Sequence, residues 1–235
     1  MTYFGFGDSF TTGLCSDKLI TDNVGYVDKI YLNFLKDELG LEGDIQTYSR
    51  PGAATTDIVS YYLENAHKIK QGDIVIIQTT TPERVLVPGE NRNLMSLTYV
   101  QATQEELLDL PYKESYENTL KYATPTMTED EISSTIKNFM QSVVINQWDV
   151  YEKYYSNLIL LCANDASSRG ATTVVLDYTI WFSLEELLKL NDLYCGCRHW
   201  NEKGHEVIGK LLSTCVQNKI NILNESNIVS TYGRI

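Results

Sequence analysis

Two patterns of apolar and polar residues alternate along the chain. Short, mostly apolar runs stand at Tyr3–Gly7, Ile45–Tyr48, Ile74–Gln78 and Thr173–Leu176, and polar or turn-forming residues follow each run. Runs of this length are typical of buried parallel strands. They predict the strands of one central sheet.

Longer segments between these runs carry apolar residues at helical spacing. The predicted helices cover Tyr26–Leu39, Thr55 to about His67, Gln147–Ser168, Leu184–Leu190 and Asn201 to about Asn218. Strands that alternate with helices predict an α/β domain whose mostly parallel sheet is covered on both faces. The tail from Lys219 to Ile235 has no strong pattern.

One long segment departs from this alternation. The stretch from Pro82 to about Gln141 is polar, contains several prolines and predicts one helix, which starts near Asp130. We interpret residues 82–141 as an insertion after the third strand of a single domain that spans residues 1–235. The insertion could serve as a lid, as a wall of the site or as an assembly surface.

Charge and composition exclude several classes of function. The 235 residues carry a formal net charge of −12, which argues against nucleic-acid binding because phosphate contacts need clustered Lys and Arg. No apolar run approaches the ~20 residues that a membrane span requires. The first residues lack the features of a signal peptide, so we expect synthesis in the cytoplasm, with release by lysis or packing into a virion left open. Five cysteines are an odd number for a disulfide framework.

Residues that could take part in binding or catalysis stand at or just after the ends of the predicted strands. They are Ser9, Gly52, Thr79 to Thr81 and Asp177. Because ligands bind at the carboxyl ends of the strands in open parallel sheets, these residues predict a shared site.

Ser9 and His199 are the candidate nucleophile and base. A serine hydroxyl becomes a nucleophile when a neighbouring base takes its proton. Of the three histidines, His67 falls near a helix end and His205 lies inside the last predicted helix, where a structural role is the default. His199 precedes that helix in a loop, from which it could reach the serine.

Taken in order, these residues resemble the SGNH (GDSL-type) hydrolase family. The resemblance rests on Gly7-Asp8-Ser9, on Gly52, and on His199-Trp200-Asn201 with Gly204-His205. It implies a three-layer α/β/α, flavodoxin-like fold and hydrolysis of esters without a metal or organic cofactor. It also implies that Ser9 is the nucleophile, that the N–H groups of Ser9 and Gly52 bind the oxyanion, and that His199 is the general base.

Two positions depart from the family pattern. The family's oxyanion asparagine is missing, and the Thr80 or Thr81 hydroxyl or the Arg84 guanidinium could replace it. Losing one oxyanion donor costs on the order of 3 kcal/mol of barrier. Threonines followed by an arginine at this place resemble phage-encoded variants of the family, which implies a viral origin.

The second departure concerns the acid of the triad. The family has an aspartate three residues before the histidine, where this chain has Gly196. Asp192 is our candidate for this role, with Asp177 or a backbone carbonyl as alternatives. Removing a triad acid can lower the rate by about 10⁴-fold.

Two hypotheses on function remain. The first is a serine esterase that removes acetyl or other short acyl groups from carbohydrate or lipid. The second is a catalytically weakened or inactive module of the same fold, a viral structural or glycan-binding protein that could assemble with itself or within a virion. A metal site at Cys195-Gly196-Cys197 is disfavoured because no second cysteine pair lies nearby. Trp181, Trp200 or tyrosines of the insertion could stack on sugar rings.

Overall fold

A computed structural model describes residues 1–15, 25–81, 85–88, 94–97, 131, 148–196 and 198–235. The chain divides into two compact units. The first consists of Met1–Thr80 and Ser156–Ile235, and the second of Thr81–Tyr155.

A parallel sheet of five strands forms the centre of the first unit. Its strands are β1 (Thr2–Gly7), β4 (Asp44–Ser49), β5 (Ile74–Gln78), β8 (Thr172–Leu176) and β9 (Ile222–Leu223). They lie in the order β4-β1-β5-β8-β9, and each neighbouring pair is parallel. Counted along the chain this is the order 2-1-3-4-5 of flavodoxin-like folds. The predicted mostly parallel α/β fold is confirmed.

Helices cover both faces of this sheet. They are α1 (Ser9–Thr12), α2 (Tyr31–Leu39), α3 (Thr55–Asn65), α4 (Trp148–Ser168), α5 (Leu184–Leu188), α6 (Glu202–Asn218) and α7 (Glu225–Tyr232). The strand residues alternate between two cores: Ile74 and Ile76 face one, Val75 and Ile77 the other. Because both faces of the inner strands are buried, their sequences are almost continuously apolar.

Helix α2 begins later than its apolar spacing predicts. Gly25–Tyr26 forms a short strand, β3, which pairs with β2 (Leu14–Cys15). Ile30 is extended, and its N–H donates to the Asn33 side chain at 3.0 Å. The helix therefore starts at Tyr31 because the preceding residues pair with another segment.

The tail from Lys219 is folded, although the sequence showed no pattern there. It contains β9 and α7, and the Asn224 side chain accepts a hydrogen bond from the Asn227 N–H at the start of α7. Two buried apolar residues of the tail, Leu223 and Ile228, anchor this segment. Two buried apolar residues are too few to produce a clear periodic pattern.

In the second unit, the described strands β6 (Val85–Pro88) and β7 (Leu94–Leu97) form an antiparallel pair. Most of the predicted insertion, including Arg84, lies outside the described residues, and of the helix predicted from Asp130 only Glu131 is described, as helical. Within the described part of the chain, no helix combines the length and apolarity needed to cross a membrane.

Candidate active site

Ser9 stands at the start of a one-turn helix that directly follows β1. Asp8 caps this helix, since its carboxylate accepts a hydrogen bond from the Phe10 N–H at 3.1 Å. Gly13, with a φ of 74°, ends it. The Gly7-Asp8-Ser9 motif thus turns the chain from strand to helix and holds Ser9 at the carboxyl end of the sheet.

Ser9 and His199 are brought together from opposite ends of the chain. The Ser9 Oγ lies 2.8 Å from the His199 Nε2, which is a normal hydrogen-bond distance. Ser9 is 2% exposed. This pair is the arrangement that serine nucleophiles need.

A short hairpin carries His199. Tyr194 bridges Trp200 in antiparallel fashion, and the Cys195 N–H donates to the His199 carbonyl at 2.9 Å. Arg198, at the turn, has a φ of 62°. The backbone of the hairpin therefore fixes the position of the His199 Cα, from which the imidazole extends.

The ring of His199 also packs against an aromatic cluster. The centroid of the Phe10 ring lies 4.8 Å from the ring centroid of His199, 4.7 Å from that of Trp181 and 4.6 Å from that of Trp200. Phe10 immediately follows the nucleophile, so the same short helix positions Ser9 and supports the imidazole. This role of Phe10 was not predicted, because in the sequence Phe10 is only one more apolar residue.

Gly52 lies in a turn that follows β4, the strand next to β1. Its φ is 74°, which favours glycine, and the Ala53 N–H closes the turn onto the Arg50 carbonyl at 3.2 Å. Among the described residues, neither the Ser9 N–H nor the Gly52 N–H has a hydrogen-bond partner. The oxyanion roles that the resemblance implies for these two N–H groups stay predictions.

The threonines after β5 have different surroundings. The Thr79 hydroxyl accepts a hydrogen bond from the Tyr178 N–H at 2.8 Å. The Thr80 hydroxyl is buried and donates to Asp8 at 3.4 Å, so it contacts the residue before the nucleophile. Thr81 is partly buried and begins the second unit. The roles given to Thr81 and Arg84 stay predictions.

The hydrogen bonds described for the two candidate acids lead to groups other than His199. Asp192 is exposed, with a φ of 59°, and its backbone carbonyl accepts from Asn201 Nδ2 at 2.9 Å. The Asp177 carboxylate instead accepts from the Thr179 N–H at 3.0 Å. The role of Asp192 as acid stays a prediction without a contact that supports it.

The other two histidines lie in different settings. His205 is fully buried in α6, and its Nδ1 accepts a hydrogen bond from the Tyr31 N–H at 3.3 Å. Burial, with a smaller effect of nearby His199, lowers the pKa of His205 to about 3, so this ring stays neutral. His67 is exposed beyond the end of α3.

The described residues contain no group of three or more His, Cys, Asp or Glu side chains that could hold a metal ion. Cys197 lies outside them. Trp181 and Trp200, which were candidates for sugar stacking, are 1% and 0% exposed. Their faces are buried against Phe10, so neither is free to stack on a ligand; Phe182, beside Trp181, is 65% exposed.

Neither a family model nor a curated protein matches the sequence. Among solved structures, the chain is similar to the lipase/acylhydrolase from Enterococcus faecalis, with 15% identity, a TM-score of 0.39, and coverage of 93% of this chain and 96% of that one. It is also similar to the lipase Lip_vut3 from goat rumen metagenome, with 13% identity, a TM-score of 0.38, and coverage of 89% and 94%.

Proposed function

We propose that the protein is a serine esterase that hydrolyses acetyl or other short acyl esters on carbohydrate or lipid through an acyl-enzyme. The observation that carries the proposal is the 2.8 Å distance between Ser9 Oγ and His199 Nε2. A hydroxyl paired in this way with an imidazole can be deprotonated as it attacks a carbonyl carbon.

In the acylation step, Ser9 Oγ bonds to the ester carbonyl carbon while its proton passes to His199 Nε2. The carbonyl oxygen becomes an oxyanion, and the N–H groups of Ser9 and Gly52 donate to it. When the tetrahedral intermediate collapses, the bond to the alcohol oxygen breaks, and that oxygen takes the proton from His199.

In the deacylation step, water replaces the alcohol. His199 Nε2 accepts a proton from the water as its oxygen attacks the acyl carbon. The bond to Ser9 Oγ then breaks, Oγ regains a proton from His199, and the carboxylic acid leaves. Nothing is consumed except ester and water, and no cofactor enters either step.

The surroundings of the pair bear on the expected rate. The Thr80 hydroxyl already donates to Asp8, which leaves the backbone N–H groups, with Thr81 or Arg84 as the predicted side-chain donors, to bind the oxyanion. One missing side-chain donor raises the barrier by on the order of 3 kcal/mol. We therefore expect slow turnover, with His199 oriented by its hairpin and by Phe10.

An exposed ring next to Phe10 supports the proposed class of substrate. Phe182 is 65% exposed, and its ring lies 6.1 Å from that of Phe10, which contacts His199. An exposed aromatic face in this position favours a substrate with an apolar surface, such as a sugar ring or a lipid chain.

The first test compares hydrolysis of p-nitrophenyl acetate by the wild type, Ser9→Ala and His199→Ala. General acid–base catalysis contributes about 10²- to 10⁴-fold, so we expect each variant to lose at least about 100-fold in kcat. Ser168→Ala and His67→Ala change exposed residues of the same types and serve as matched controls. Both controls should retain wild-type turnover.

A second measurement separates catalysis from background hydrolysis. A fluorophosphonate probe should add to Ser9 of the wild type, as seen by intact mass, and should not add to Ser9→Ala. Because Ser9 is buried, labelling also tests whether a small electrophile reaches it. Absence of both turnover and labelling in the wild type would contradict the proposal and favour the non-catalytic glycan-binding or virion module.

A further inference from the structure

Four buried side chains are joined in one hydrogen-bond network that includes Asp8, the residue before Ser9. Gln78 Nε2 donates to Asp8 Oδ1 at 2.6 Å, Gln78 Oε1 accepts from the Thr11 hydroxyl, and the Thr11 and Tyr31 hydroxyl oxygens lie 2.9 Å apart. Asp8, Thr11, Gln78 and Tyr31 are each 0% exposed. The proposed reaction uses none of them, yet buried polar groups that are fully bonded to each other hold their geometry strongly.

The hydrogen bonds of this network can run in only one direction. A carboxylate only accepts, so Gln78 must turn its Nε2 toward Asp8 and its Oε1 toward Thr11. The single hydroxyl hydrogen of Thr11 then points to Gln78, and Tyr31 must donate to Thr11. Burial raises the pKa of Tyr31 above its ordinary value, so its hydroxyl keeps this proton.

The hydrogen-bond network also explains why the Gly7-Asp8-Ser9 motif begins with glycine. A Cβ at Gly7 would overlap the Thr11 hydroxyl and lie 2.8 Å from Gln78 Oε1. The space that glycine leaves is therefore where the Thr11 and Gln78 side chains meet.

The hydrogen-bond network is connected to the nucleophile through Asp8. The carboxylate oxygen that accepts from Gln78 is the one that accepts from the Phe10 N–H and caps the helix that begins at Ser9. Gln78 ends β5, which pairs with β1 at the point where the strand order reverses. Gln78 thus ties the end of one strand to the turn that ends its neighbour.

We propose that Gln78 is a positioning residue for the nucleophile: by donating to Asp8 it fixes the cap of the Ser9 helix and so sets Ser9 Oγ against His199. This inference rests on the proposed esterase function. Gln78 is expected to affect kcat because it acts through Asp8 on the position of Ser9. It is not proposed to contact the acyl group or the reacting atoms.

The test uses two variants of Gln78 in the full chain. Gln78→Met keeps the volume but removes both hydrogen bonds, and we expect kcat for p-nitrophenyl acetate to fall by about 100-fold with little change in KM, the cost of a small misplacement of reacting groups. The fluorophosphonate labelling rate should fall in parallel.

Gln78→Glu adds a readout that a purely structural role would not move. A protonated glutamic acid can donate to Asp8 and accept from Thr11 as glutamine does, whereas the ionised form repels Asp8. The ratio of variant to wild-type kcat should therefore rise as the pH falls from 8 to 6. Gln217→Glu, on an exposed position of α6, is the matched control and should give a constant ratio near one.

The outcomes separate this inference from the proposed function. If the wild type neither turns over nor labels, the proposed function fails and this inference falls with it. If the wild type is active and folded Gln78→Met keeps its kcat, the positioning role alone is overturned. Should Gln78→Met fail to fold, Gln78→Glu decides: a flat ratio across pH overturns the role, and a rising ratio supports it.

Discussion

His199 and His205 lie close in sequence, but their surroundings give them opposite properties. His199 is partly exposed in a hairpin and its Nε2 meets a hydroxyl, whereas His205 is buried with its Nδ1 accepting from a backbone N–H. Within the described residues, His205 Nε2 has no hydrogen-bond partner. The first ring can exchange protons, and the second is held neutral.

The buried His205 should make stability depend on pH. Its pKa of about 3 in the folded state lies below the ordinary value of 6.5, so the unfolded chain binds the extra proton between these values. The stabilisation is complete above pH 6.5 and is lost as the pH falls toward 3. We expect the free energy of unfolding to fall by up to about 1.4 kcal/mol per pH unit between pH 6 and 4, measured by urea denaturation.

His205→Asn should remove most of this slope, because asparagine keeps an acceptor for the Tyr31 N–H but does not titrate. The exposed His67→Asn is the control and should keep the wild-type slope. Equal slopes in wild type and His205→Asn would show that other groups cause the acid sensitivity.

Residue types alone revealed part of the site. Ser9 and His199 stood out because a loop serine after a strand and a loop histidine before a helix suit this chemistry. Gln78 was visible only as a polar residue that ends an apolar strand, and its partners Asp8 and Thr11 come from a different strand end. Such partners follow from strand order, which no local pattern encodes.

The start of helix α6 packs against the hairpin that carries His199, the proposed general base. Asn201 caps α6 by accepting from the Gly204 N–H at 3.0 Å, and its own N–H donates to the Leu193 carbonyl at 3.0 Å. A Cβ at Gly204 would overlap that Leu193 carbonyl oxygen. The glycine therefore lets the start of the helix close against the base of the His199 hairpin.

Gly204→Ala should disturb this junction. The added methyl must displace backbone, which typically costs about 1–3 kcal/mol, and should lower both the stability in urea and the esterase kcat. Gly233→Ala is the control, since a Cβ there would first meet an atom at 3.6 Å and its φ of −65° suits alanine. A Gly204→Ala protein with wild-type stability and kcat would contradict this account of the junction.

At the scale of the first unit, two cores on opposite faces of the sheet are completed by segments far apart in sequence. The tail contributes Leu223 and Ile228 to the core that also contains Phe10, Trp181 and Trp200. The aromatic cluster beside His199 is therefore continuous with apolar residues from the last strand and helix.

Ile228→Ala should destabilise the first unit by about 2–5 kcal/mol, because it leaves a cavity at a residue that is 0% exposed. The neighbouring Val229→Ala, at a position that is 57% exposed, should have little effect. Urea denaturation of the two variants provides the comparison. Similar stabilities would indicate that the tail is not integral to the core.

The sequence by itself determined the fold class, because strands buried on both faces must be apolar throughout and helices must be apolar along one face. It also identified Ser9, Gly52 and His199 as candidates, since their residue types and their places after a predicted strand or before a predicted helix are local properties. Tertiary structure decided which groups meet: it paired Ser9 with His199, directed the Thr80 hydroxyl to Asp8 and buried His205. The physical reason is that a hydrogen bond requires two atoms within about 3 Å, and the order of the strands, rather than any nearby sequence, sets that distance.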